Sequence, residues 1–308
     1  MGAACTAVAE GRGDSAATAR ALEHALDEIA RLEDVLGMAR STSEISRLNA
    51  AAGERFTCSS DLYAVIDSAM RAADETDGFY DPTIEPLSRV WDVRGAGRVP
   101  PADELAAARA LVGWRAVFLE PGGHTVRLPR PGRGIDLDVV GRGYALERLA
   151  DVLREGGIVR ALADFGGETL ALSNREPWQV TVARPGDPRA PAVRLALTNA
   201  ALSTAPQSRR GIGGEDVRHI LVLDPRTGLP VRTDASVSVV ARSATRAAAL
   251  SSALLVMGRE RAAAFTAAHG GFGVLWLEPS EDGLRAWAWN LPSVAAEAGV
   301  NIRWMDRP

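Results

Sequence analysis

The chain has 308 residues, 46% apolar and 24% charged, enough to bury a sizeable core in one large domain or two joined halves. Its 35 basic residues against 39 acidic ones leave a net charge of −4, without the basic excess of a general nucleic-acid binder. Every basic residue is an arginine, which excludes a lysine Schiff base, a P-loop lysine and a lysine general base. Cys5 and Cys58 are too few for a disulfide framework or a cysteine zinc site. No apolar run approaches the roughly 20 residues that span a bilayer. The start, Met1-Gly2-Ala3-Ala4-Cys5-Thr6, matches an N-myristoylation pattern and hints at a lipoprotein cleavage site. It lacks the basic-then-apolar order of a secretory leader, so the expectation is a cytoplasmic protein without a membrane span.

Residues 15–37 predict a long amphipathic helix with Leu22, Leu26, Ile29, Leu32, Val35 and Leu36 on its apolar face. A second helix is expected over 61–76, ended by Asp77-Gly78, with Pro82 and Pro86 keeping the next segment irregular. A third helix, 102–112, leads to strand-like stretches at 114–120 and 124–129. The Pro/Arg/Gly stretch 129–134 is the best internal linker. Extended Ile135-Asp136-Leu137 meets a Gly141-Arg142-Gly143 turn, followed by a helix over 143–155 and strands at 158–164 and after Glu168. Further strands are expected near 178–182, 192–198, 217–223, 235–241, 272–277 and 284–288, with helices over 245–257 and 259–268. Strands outnumber crossover helices, so the fold class is α+β rather than a doubly wound sheet.

Four segments combine glycine, acid and turn residues beyond the needs of a core. Thr76-Asp77-Gly78-Phe79-Tyr80-Asp81-Pro82-Thr83 reads alone as a helix end and a turn. In Ile135–Tyr144, a carboxylate ahead of a glycine-flanked arginine suits a ribose or base, and the arginine with free amides suits a pyrophosphate. It reads equally well as a structural Asp–Arg pair at a helix start. Asp164-Phe165-Gly166-Gly167-Glu168 allows close backbone approach to a ligand, or makes a tight strand connection. His219–Gly228 ends in a turn signature, and His219 is the one histidine placed beside it. His24 is expected on a helix surface, His124 and His269 in loops. No zinc-protease spacing is present.

The order of these pieces carries a resemblance. Ser43-Glu44-Ile45-Ser46-Arg47-Leu48-Asn49, Asp77–Thr83, Ile135-Asp136-Leu137 with Gly141-Arg142-Gly143-Tyr144, Phe165-Gly166-Gly167-Glu168, Ser203-Thr204, Arg209-Arg210 and Asp224-Pro225-Arg226-Thr227-Gly228 together resemble the ApbE family over nearly the whole chain. The resemblance implies a FAD:protein FMN transferase, which cleaves the FAD pyrophosphate with magnesium and attaches FMN to a Thr or Ser hydroxyl of an acceptor flavoprotein. It implies a single ApbE-like (T-fold-like) domain over 1–308, with helix-flanked sheets and an FAD cleft between two related halves. FAD contacts would fall on Met1, Phe79, Tyr80, Asp81, Asp136, Arg142 and Ile220. Arg142 stands where most members have lysine, and two extra residues separate His219 from Asp224-Pro225.

The metal site departs from the family pattern. Its Asp and Thr positions fall on Ala248 and Ser252, and a carbonyl ligand would come from Val139. Losing the family's carboxylate weakens magnesium binding unless Asp138, a small residue in most members, substitutes. A usual Tyr or Phe near the flavin falls on Ala39, and the Ala-Thr-Ser-Gly segment has become Ser203-Thr204-Ala205-Pro206. Three functions follow: an FMN transferase with an altered site, a flavin- or nucleotide-binding protein without transfer, or a member recruited to another reaction such as a secondary-metabolite step.

Overall fold

The computed structural model describes residues 1–51, 53–206, 222–291 and 294–305. In chain order these form β1 (Cys5–Gly11), α1 (Ser15–Leu36), α2 (Glu44–Ala50), β2 (Arg55–Thr57), α3 (Ser60–Glu75), α4 (Glu85–Val90), α5 (Ala102–Arg109), β3 (Phe118–Glu120) and β4 (Thr125–Arg127). Then follow α6 (Asp138–Glu155), β5 (Ile158–Phe165), β6 (Glu168–Ser173), β7 (Trp178–Arg184), β8 (Asp187–Leu197), β9 (Ala200–Pro206) and β10 (Ser236–Ala241). The chain closes with α7 (Ala244–Met257), α8 (Arg259–Ala268), β11 (Phe272–Ser280), β12 (Gly283–Trp289), β13 (Val294–Ala296) and β14 (Val300–Trp304).

The α+β class holds. One eight-stranded sheet, ordered β1-β5-β6-β9-β10-β11-β12-β14, runs through both halves of the chain and is antiparallel except for β12–β14. On one face lie α1, α6 and α7, packed side by side. On the other lies the small sheet β13-β8-β7, whose Val182, Val193 and Leu195 meet Ala171, Leu275 and Leu277. β6 is therefore buried at every position: Leu170 and Leu172 join the helical core, and Ala171 joins the opposite one. A third small sheet, β2-β4-β3, stands apart.

The helices start where short polar side chains cap them. Asp14, Ser43, Ser59 and Ser243 each accept a backbone N–H of the first turn of α1, α2, α3 and α7. In α1 the buried stripe is Ala21, Ala25, Ile29, Leu32 and Leu36, while Leu26 is exposed. The alanines win because the packing is close: a Cβ on Gly156 would lie 2.7 Å from the Ala21 methyl.

Two local expectations are corrected. Gly141-Arg142-Gly143 is not a turn; α6 already begins at Asp138, and the Gly141 N–H donates to the Leu137 carbonyl at 2.6 Å. Gly143 is a packing glycine, since a Cβ there would stand 2.7 Å from the backbone of Ala244 and Thr245 at the start of α7. The 129–134 stretch is irregular chain between β4 and α6, held down where the buried Arg133 donates to the Gly113 carbonyl at 2.7 Å. Residues 114–116 form a 3-10 turn before β3. Of the strand expected at 217–223, only Val222 and Leu223 are described, and Leu223 makes an isolated bridge to Pro230. His24 is exposed, His124 stacks on Tyr63, and His269 stacks on Phe265.

Phe165-Gly166-Gly167-Glu168 is the tight β5–β6 hairpin, with Phe165 paired to Glu168 and both glycines at positive φ (64° and 92°). It carries Glu168 into the interior, 4% exposed, within reach of Ser203 and Arg142. Burial pushes the Glu168 carboxyl from 4.5 up to about 7, against the Ser203 hydrogen bond and Arg142, which lower it.

Two outcomes are expected. Gly143→Ala forces the α6–α7 crossing apart and should cost about 1–3 kcal/mol of stability, read from denaturant unfolding. For Glu168, the unfolded chain releases its proton near pH 4.5 while the fold keeps it to about 7. Rising pH therefore withdraws stability across that window. The melting temperature of Glu168→Gln should fall less than that of the natural protein between those pH values; parallel curves would contradict a buried, proton-retaining Glu168.

Candidate functional site

The site is built on an extended segment pinned from two sides. The Asn49 side chain accepts from Ile135 N–H at 2.8 Å and donates to the Ile135 carbonyl at 2.9 Å. The Asp136 N–H donates to the Pro82 carbonyl at 2.7 Å. Ile135 and Leu137 are fully buried in the helical core, which leaves Asp136 and Asp138 on the opposite side, in the lining of a cleft of about 550 Å³. The motif around Asn49 is thus scaffold: Glu44 accepts from the Ser59 N–H and hydroxyl, both at 2.6 Å, which fixes α2 to α3.

The cleft gathers most of the residues singled out from the sequence. Met1, Phe79, Tyr80, Asp81, Asp136, Asp138, Val139, Arg142 and Ser252 all line it, as does Ala39. Ile220, with His219, Arg209 and Arg210, lies outside the described residues. Pro225 lines the cleft from the Asp224–Gly228 turn, which Trp91 holds by donating its Nε1 to the Gly228 carbonyl at 2.8 Å. Ser203 and Thr204 are not in the lining; their hydroxyls bond Ser251 and Ser238 at 2.9 and 2.8 Å.

The structure holds an Asp–Arg pair at the helix start, and its acid is Asp138. Asp136 does not pair with Arg142. Its Oδ2 accepts from Arg94 and, at 2.9 Å, from the Ser88 hydroxyl; its Oδ1 accepts from the Asp138 N–H at 3.0 Å. Arg142 instead donates to Asp138 Oδ2 at 3.0 Å, one helical turn back. Asp81 is buried, with Oδ1 accepting from the Thr83 N–H and hydroxyl and Oδ2 from the Trp114 N–H. Burial raises its pKa, and those hydrogen bonds together with Arg133 pull it back. The Phe79 ring carries the Arg226 guanidinium 3.8 Å from its centroid, with Arg261 at 5.9 Å. Two buried polar atoms of the lining residues, Tyr80 Oη and Arg142 Nε, have no hydrogen-bond partner among the described residues.

On α7, Ser252 and Val256 reach the cleft, and Ala248 sits one turn before Ser252, fully buried in the helical core. The groups that could approach a metal here are the Val139 carbonyl, the Ser252 hydroxyl and the Asp138 carboxylate. Among the described residues, no cluster of three or more His, Cys, Asp or Glu side chains could hold one.

Arg94 and Ser88 are the site residues that sequence reasoning missed. Both follow the Pro82 turn, Ser88 on α4 and Arg94 just beyond it. The signal that could have found them was the partner that a carboxylate in a half-buried cleft demands.

Comparison with known proteins fits this geometry. A FAD:protein FMN transferase of Vibrio cholerae is 30% identical over 287 residues, covering 90% of this chain and 84% of that protein. One of Treponema pallidum is 28% identical over 302 residues, covering 91% and 83%. Among solved structures, a histidine-to-glycine mutant of the flavin transferase ApbE from Vibrio cholerae superposes with a TM-score of 0.79 at 28% identity, over 94% of each chain. The ApbE protein from Thermotoga maritima gives 0.79 at 25% identity, over 89% and 91%. The model of the ApbE family matches residues 1–276, and the chain belongs to that family.

Proposed function

We propose that the protein is a FAD:protein FMN transferase. The hydroxyl oxygen of a Thr or Ser on an acceptor protein attacks the FMN phosphorus of FAD. The bond from that phosphorus to the bridging oxygen breaks, AMP leaves, and the hydroxyl proton is released. The observation that carries the reading is one cleft, lined by eight of the residues that the resemblance assigns to the ligand or the metal, in a chain 30% identical to such a transferase over 90% of its length.

Phosphoryl transfer needs positioning and charge neutralisation more than covalent help from the protein. Arg142 and Arg94 supply positive charge to the cleft lining, fixed by Asp138 and Asp136. The Tyr80 hydroxyl, raised well above 10 by burial and the negative charges of Asp136 and Asp81, stays protonated and serves as a donor. The Phe79 ring and the apolar walls Met38, Val222 and Val256 offer flat surface for an aromatic ring.

Magnesium is the ion that the family resemblance implies, and the residues present do not fit it. A hard dication takes carboxylate oxygens, water and substrate phosphates. Here the only carboxylate among the candidate ligands already faces a guanidinium at 3.0 Å, and the position one turn before Ser252 is a methyl group. No helix among the described residues is long and apolar enough to cross a membrane, and the proposal places the reaction in the cytoplasm.

Incubation with FAD and an acceptor flavoprotein should release AMP and leave flavin fluorescence on the acceptor band in a denaturing gel. FAD binding without AMP release, with or without added divalent ions, would reduce the protein to a flavin carrier. Ala248→Asp, alone or with Ser252→Thr, returns a carboxylate to the α7 face. FAD cleavage by that variant should be faster in magnesium than in EDTA. Without metal the variant should melt lower than the natural protein, because the new charge is buried.

A further inference from the structure

Arg94 enters the cleft from outside the motifs that define the family resemblance. It is tethered to Asp136, Arg142 is tethered to Asp138, and the Asp138 N–H donates to Asp136 Oδ1 at 3.0 Å. Two guanidiniums are therefore fixed by carboxylates two residues apart on one pinned segment. A guanidinium has five N–H donors, and these pairs use only some of them. The Arg94 side chain keeps 31% exposure, so donors remain for a ligand.

The unsatisfied groups have a consistent sign. Arg142 Nε is an N–H donor, and the Tyr80 hydroxyl still has its proton to give; both are buried without a partner. Buried donors require acceptors, and leaving them unpaired is costly. A cleft waiting for a cation would show orphaned carboxylate oxygens instead, and among the described residues no buried carboxylate oxygen of the lining is without a partner.

We propose that Arg94 and Arg142 together hold the diphosphate of the bound nucleotide, so that this cleft neutralises it with guanidiniums and without a divalent ion. The identity of the nucleotide as FAD rests on the function proposed above; the diphosphate clamp does not, and ADP probes it alone.

Calorimetric titrations of the full chain with ADP and with FAD, each in EDTA and in magnesium, test the clamp. The natural protein should bind both ligands in EDTA, with affinity no more than a few-fold different in magnesium. Arg94→Gln should weaken both by about tenfold or more, the loss of a charge-assisted hydrogen bond, and Arg94→Lys should recover part of it. Because Arg94→Gln leaves Asp136 uncompensated, the double variant Arg94→Gln with Asp136→Asn removes both charges and should show the same loss at a near-native melting temperature. Arg94-dependent binding of ADP but not of FAD supports the clamp and overturns the flavin reading. The clamp is overturned by ADP binding that is unchanged in Arg94→Gln, that requires magnesium, or that is absent from the natural protein.

Discussion

Everything in the cleft depends on the backbone of residues 135–138 being held still. An extended segment with two buried apolar side chains must also satisfy its own N–H and C=O groups. Here it does so without joining a sheet: Asn49 mimics a strand partner for Ile135, and the Pro82 carbonyl takes the next N–H. With Ile135 and Leu137 sunk in the helical core, Asp136 and Asp138 have one side left to face. α6 starts at once, so Arg142 stands one turn beyond Asp138. Asn49 belongs to a short helix whose own position is fixed by Glu44 on Ser59. The Glu44–Ser59 and Asn49–Ile135 hydrogen bonds thus help determine where the cleft charges lie.

How much was legible in the sequence follows from which forces are local. α3 came out with the expected face, since Leu62, Val65, Ile66, Ala69 and Met70 repeat at helical spacing and are all buried. α1 was found with Ile29, Leu32 and Leu36 on its buried face, but Ala21 and Ala25 were not, because alanine against a glycine of a neighbouring helix is a tertiary fact. The start of α6 was misplaced for the same reason: Gly143 looks like a turn residue until α7 is seen against it. β1, β9 and the short strands rich in alanine carry little intrinsic strand preference and form through their neighbours. At the site, residue types announced the acids and Arg142, whereas Arg94 is 42 positions from its partner Asp136 and follows no pattern.

The pairing in the cleft has an energetic logic. A guanidinium at the edge of a cleft loses hydration, and a carboxylate partner recovers part of that loss while fixing the side chain. A ligand phosphate then meets donors already in place, so less ordering entropy is charged to binding. The same carboxylates reduce the net field, so affinity rests on geometry and unused donors more than on bulk charge. That fits a chain with net charge −4, which has no excess of positive charge to draw an anion in.

Behind Arg142 lies a further control on that field. Glu168 is near enough to act on Arg142, and if ionised it would give this guanidinium a second anion beside Asp138. Burial holds the Glu168 carboxyl near 7, so below that pH it is a neutral group close to Ser203, whose hydroxyl also bonds Ser251 of α7. A phosphate arriving at Arg142 adds negative charge to the neighbourhood and favours the protonated form further. Proton uptake by Glu168 and anion binding at Arg142 therefore assist each other, and linkage makes that assistance mutual.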